Sequence, residues 1–158
     1  MNIPWYLVVT AIVMIIQAKI YKRFCFVRLN YNRVFSTDAV FEGQQLEMIE
    51  QISNRKLLPL PWIRVESKID PHLEFFKQSN LDIKYDEFHK SLFSLMPYTG
   101  ITRRHKVKCT KRGFYNLKTV AITCGDLFGI QDNSATYEVY ADILVYPKLI
   151  PLEEIPLP

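Results

Sequence analysis

Glycine is scarce in this chain, and its placement excludes more than its number does. The five glycines, at positions 43, 100, 113, 125 and 129, are isolated from one another. They make no P-loop and no dinucleotide-binding fingerprint. The three histidines, His72, His89 and His105, have no metal-ligand spacing with one another or with the cysteines. Cys25, Cys109 and Cys124 leave one thiol unpaired under any disulfide scheme, and no C-x-x-C is present. That usage fits a reducing compartment and three ordinary buried thiols. No serine lies in a G-x-S-x-G elbow. Asp82, Asp86 and Glu87 form a small acidic cluster that reads as a solvated loop. With no acid–base or nucleophile set, neither an enzyme, a cofactor, a metal nor a small-molecule substrate is expected. The net charge of +4 is too mild to indicate nucleic acid as a partner.

What is present begins with an apolar run. From Ile3 to Ala18 no side chain is charged, and the stretch from Trp5 to Tyr21 reads as one helix. At 1.5 Å per residue it would be roughly 26 Å long, at the short end of what crosses a hydrocarbon core of about 30 Å. Pro4 suits a first helical turn. Trp5 and Tyr6 mark one interface and Tyr21 the other, and Lys19 can snorkel toward headgroups. A signal peptide would need a basic start and a cleavage site, which the sequence does not show. A buried core helix would need a polar face, and only Thr10, Gln17 and Lys19 interrupt the run. A single-pass anchor over residues 1–23 is therefore expected. Lys22 and Arg23 directly after it place the following domain on the cytoplasmic side of the cell membrane.

Beyond Phe24 the pattern changes to period two. Strands are predicted at Phe24–Asn30, Gln44–Ile52, Trp62–Lys68, Ser91–Met96, Ile101–Thr110, Leu117–Cys124 and Tyr137–Tyr146. In Trp62–Lys68, Ile63 and Val65 alternate with Arg64 and Glu66, as antiparallel strands wet on one face do. Glu42-Gly43, Asn54–Lys56 and Pro97–Gly100 supply turns, the last a plausible hairpin. Residues 70–90 stay ambiguous, with a further strand at Leu81–Tyr85 or a helical turn within Tyr85–Phe93. Short strands with frequent turns predict a mainly β fold, an immunoglobulin-like antiparallel sandwich over residues 24–147. Residues 148–158 hold prolines at 151, 156 and 158 after Pro147, and read as an extended linker and not a domain end.

The strongest charge feature is the basic stretch from Arg103 to Arg112. Arg103, Arg104, Lys106 and Lys108 form a possible contact surface for anionic headgroups or an acidic partner. The competing reading is a solvated strand face whose lysines oppose edge-to-edge aggregation.

Three motifs stand in a characteristic order: Lys111-Arg112-Gly113-Phe114-Tyr115-Asn116-Leu117, then Gly125-Asp126-Leu127-Phe128-Gly129-Ile130, then Leu144-Val145-Tyr146-Pro147. Together with Ser53–Lys56 and Leu58–Trp62 they resemble the prokaryotic "domain of unknown function" family number fifty-eight, associated with MoxR-type AAA+ ATPases. The likeness covers about residues 33–150 and implies a further C-terminal region beyond the linker at residues 148–158. Leu127 stands where the family usually has proline. The resemblance implies a membrane-anchored, non-enzymatic partner of a MoxR-type ATPase, acting in complex assembly or maturation. Read as chemistry, the motif residues are structural. Gly113 after Arg112 permits a bend, and Asp126 with Gly129 makes a tight turn. Phe128 is expected to plug the end of the sandwich, and Pro147 after Tyr146 ends a strand. A second class of function is an outward-facing sandwich that binds glycan or cell-wall polymer through an exposed aromatic platform. Trp62, the only tryptophan after the anchor, adjoins a proline turn and is expected to be packed instead.

Overall fold

A computed structural model describes residues 3–76 and 88–149. One helix, α1 (Ile3–Phe24), precedes strands β1 (Leu29–Phe35), β2 (Ala39–Phe41), β3 (Gln45–Asn54), β4 (Leu60–Lys68), β5 (Leu73–Phe75), β6 (Phe88–Leu95), β7 (Gly100–Cys109), β8 (Gly113–Gly125) and β9 (Asp132–Tyr146). The strands form two sheets, in the orders β1-β3-β7-β5 and β2-β9-β8-β4-β6. Pairing is antiparallel throughout except at the edge, where β2 runs parallel to β9. This is an immunoglobulin-like β-sandwich behind one apolar helix.

The alternation seen in the sequence is realised as two inner faces. On β3, Leu46, Met48, Glu50, Ile52 and Asn54 all point inward. On β8 the register slips between Leu117 and Thr119. This bulge sends Lys118 and Thr119 outward while Leu117 and Val120 both stay buried. Pro61 occupies a similar irregularity between Leu60 and Ile63 of β4, where a missing N–H breaks no ladder bond.

Four expectations need correction. The expected strand at Phe24–Asn30 does not start there: α1 continues through Phe24, a turn follows, and β1 begins at Leu29. The reason lies in Lys56, whose buried ammonium donates to the carbonyls of Cys25 and Val27 and so satisfies the exit from the helix. Pro97–Gly100 is not a hairpin. It carries the chain from one sheet to the other, since Leu95 pairs with Leu60 while Gly100 pairs with Ser53. Tyr98 takes φ 55° in this crossing. Phe88–Leu95 is strand, so a helical turn does not extend to Phe93. Phe128 does not plug the sandwich: it is 61% exposed. The Leu81–Tyr85 strand, the start of the helical turn and the Asp82, Asp86, Glu87 cluster fall outside the described residues.

Candidate functional site

Two apolar clusters fill the core. One gathers Tyr21, Cys25, Ile52, Ile63, Phe93 and Ile122 beside the helix. The other gathers Met48, Ile69, Val107, Tyr115 and Ile143 at the far end. Between them lies a polar layer that the sequence reading missed. Tyr31 and Arg33 of β1, Glu50 of β3 and His105 of β7 come from one sheet; His89 and Ser91 of β6 come from the other.

Glu50 is the centre of this layer and has no exposed surface. Its Oε1 accepts from the Tyr31 hydroxyl at 2.8 Å. Its Oε2 accepts from the Ser91 hydroxyl at 3.0 Å and meets His105 Nε2 at 2.8 Å. His89 Nε2 lies 3.6 Å from Oε1 and 3.0 Å from Ser91 Oγ. Phe75 covers the His89 ring at 4.9 Å, and the two imidazoles meet edge-on at 4.9 Å. Arg33 is Glu50's register partner and is likewise fully buried. Tyr31 and Glu50 are its electrostatic neighbours. Yet among the described residues none of its guanidinium nitrogens meets hydrogen-bond geometry with a partner.

Burial pushes the Glu50 carboxyl up, but the bond from His105 and the nearness of the His89 ring outweigh it, so the group stays well below the usual carboxylate range. Burial, then the neighbouring Glu50 charge, pushes the Tyr31 phenol up. The chemistry is that of an ionised carboxylate opposite a cation, sealed from solvent. Glu50, His89 and His105 offer donor atoms within 4.8 Å of one another, a spacing that a metal ion could bridge. Arg33, buried on the neighbouring strand, already brings positive charge to the same carboxylate, which opposes adding a divalent ion there. The signal for this layer was a charge at an apolar phase of the alternation. Glu50 falls in step with Met48 and Ile52, and His105 with Val107 and Cys109.

The predicted contact residues divide between faces. Arg103 points inward, its guanidinium 4.2 Å from the centroid of Phe93. Arg104 and Lys106 are exposed on the outer face and Lys108 is half-buried there. They are interleaved with acids: Glu47 pairs with Lys106 and Glu74 with Lys108 across the strands, and Arg104 Nη1 lies 3.9 Å from Glu47 Oε2. A more apolar surface lies on the other sheet at the end farthest from α1. There Phe41, Phe114, Leu144 and Tyr146 are exposed on adjoining strands, with Phe41 and Tyr146 rings 5.8 Å apart.

The motif residues have structural work. The Tyr115 hydroxyl donates to the Lys111 carbonyl at 2.7 Å, the kind of tie a tyrosine corner makes in such sandwiches. Arg112 is exposed beside Gly113, the first residue of β8. Buried Asp126 accepts from the Ile130 amide at 2.7 Å, and Gly129 takes φ 67° in the same turn. Pro147 follows the last residue of β9, Tyr146.

The helix is built into the domain at its C-terminal end. Gln17 Nε2 donates to Asp126 Oδ2 at 2.9 Å, and the Tyr21 hydroxyl donates to the Pro59 carbonyl at 3.0 Å. Ala18 and Tyr21 are buried, as is Cys25, which packs in one cluster with Cys124. Trp5 and Tyr6 are exposed at the opposite end, and Lys22 and Arg23 are exposed in the last turn.

No family model matches this sequence, and no curated protein matches it. Solved structures resemble it in fold. The type II cohesin dyad of a scaffoldin adaptor from Acetivibrio cellulolyticus superposes with a TM-score of 0.51 at 14% identity, covering 72% of this chain and 47% of that one. A non-cellulosomal cohesin from Archaeoglobus fulgidus gives 0.49 at 13% identity, covering 73% and 91%.

Proposed function

We propose that this chain is a membrane-tethered, non-enzymatic interaction module, with its sandwich on the cytoplasmic side. The observation that carries this reading is the two-part character of α1. Residues 4–16 are exposed on every side although nearly all are apolar, whereas its last turns are bonded into the domain. A helix with no polar face and no protein cover is suited to lipid. Lys22 and Arg23 support the cytoplasmic side. The sealed Glu50 layer offers no open carboxylate or imidazole to a substrate, which favours binding over catalysis.

The motif resemblance supports a MoxR-type AAA+ ATPase as the partner, met by tethering that raises local concentration near the bilayer. The distal patch of Phe41, Phe114, Leu144 and Tyr146 is the better contact surface, because exposed apolar side chains on one face gain from cover. The Arg104, Lys106 and Lys108 strand is interleaved with Glu47 and Glu74. Co-purification of the full chain with the ATPase from detergent-solubilised membranes tests this. Phe114→Asp should reduce recovery of the ATPase and Lys106→Glu should not. Equal recovery with both variants would remove the patch, and no recovery with the native chain would remove the partner.

A further inference from the structure

The helix and the end of the sandwich that carries it differ in reach, and the difference has a consequence for lipid. Over residues 4–16 α1 is exposed on every side, and from Gln17 onward one face of it is covered by the domain. Those 13 residues span about 20 Å. A hydrocarbon core is about 30 Å thick, so the free part alone falls short by about 10 Å. The full helix, 22 residues, reaches about 33 Å and would suffice. But Gln17, Ala18 and Tyr21, which supply the missing length, are in contact with the β8–β9 turn and the β3–β4 connection. Gln17 lies seven residues, or about 10 Å, before Phe24, and it is bonded to Asp126.

We infer that the loops at this end of the sandwich enter the bilayer interface beside α1, with the β8–β9 turn at the depth of the hydrocarbon edge. Their surface chemistry matches lipid. In that turn Leu127, Phe128 and Ile130 are 57%, 61% and 53% exposed. Leu57 in the β3–β4 connection, Met96 and Tyr98 in the sheet-to-sheet crossing, and Val27 after the helix are exposed at the same end. The register places them together: β1 starts opposite Asn54, β7 starts opposite Ser53, and β8 ends opposite Ile63. Among the described residues of these segments the carboxylates are Asp126, which is buried, and Asp132, the first residue of β9. Lys22, Arg23, Arg28 and Arg55 are exposed around them, suited to anionic headgroups. A short anchor and an apolar rim thus solve one problem of length together.

The inference rests on α1 being an anchor, and the test separates the two. The full chain is reconstituted into vesicles of phosphatidylcholine and phosphatidylglycerol. A nitroxide is attached to one added thiol: Phe128→Cys or Ile130→Cys in the turn, Lys111→Cys at the far end, or Val8→Cys in the helix. The native thiols are buried, so the folded chain presents only the added one. Collision of each label with oxygen is compared with collision with a water-soluble nickel complex. Labels at 128 or 130 should favour oxygen several-fold over the label at 111. Water-like values at both turn positions, with the label at 8 in lipid, would overturn the inference and leave the anchor standing. A water-like label at 8 would overturn both.

Discussion

Arg33 and Glu50 face each other across β1 and β3, both without exposed surface, and only the carboxylate of the pair is fully hydrogen-bonded. Glu50 takes three donors, whereas among the described residues the guanidinium nitrogens of Arg33 take no partner of good geometry. The two charges are therefore unequal in what each would lose without the other.

Removing the carboxylate should hurt more than removing the cation. Glu50→Gln leaves Arg33 buried and uncompensated, and should cost about 3–5 kcal/mol. Arg33→Met leaves Glu50 with its hydroxyl and imidazole donors and should cost less. Urea unfolding midpoints of the two variants decide this; an equal or reversed order would show that Arg33 is bound more firmly than its unpartnered nitrogens indicate.

Acid should remove the same stabilisation. The folded Glu50 carboxyl lies below its unfolded value, ordinarily about 4.3. Its contribution is then fully present above that value and is lost as pH falls from there toward the folded pKa. The stability gap between the native chain and Glu50→Gln should narrow steadily as pH is lowered below about 4. A gap that stays constant with pH would mean that the carboxyl is not ionised in the fold.

Gly125 should tolerate no side chain. An added Cβ would stand 2.0 Å from Trp62 Cζ2, so the indole must leave its place. Gly125→Ala should cost about 1–3 kcal/mol, in the range of overpacked cores, and shift the Trp62 emission. An unchanged spectrum and midpoint would mean that the indole has room to move. The same packing means that Trp62, half-buried over Gly125, is itself packed as expected.

The seat of the helix should depend on Asp126. Asp126→Ala removes acceptors from Gln17 and from the Ile130 amide and should cost about 1–3 kcal/mol. Loss of order should begin in the β8–β9 turn and the last turns of α1, read as faster amide hydrogen exchange there. Uniform acceleration over the whole sandwich would place the role of Asp126 in the core instead.

Much of the architecture was legible because alternation is a local property. Ile63 and Val65 against Arg64 and Glu66 were sufficient to locate β4. The uncharged run from Ile3 was sufficient to locate α1, although not its last turn. β2 and β5, three residues each, are too short to display any period. The basic strand was located, but Arg103 was placed on the same surface as Lys106, although period two assigns them opposite faces.

The sequence by itself determined the apolar helix, the β class and most strand positions, since each follows from neighbours a few residues apart. Tertiary structure alone decided that Tyr31, Arg33, Glu50, His89, Ser91 and His105 meet in one layer, because they lie on four strands in two sheets. It also decided that Gln17 finds Asp126, 109 positions away. Charge burial and docking depend on which surfaces the fold brings together, and no local pattern carries that information.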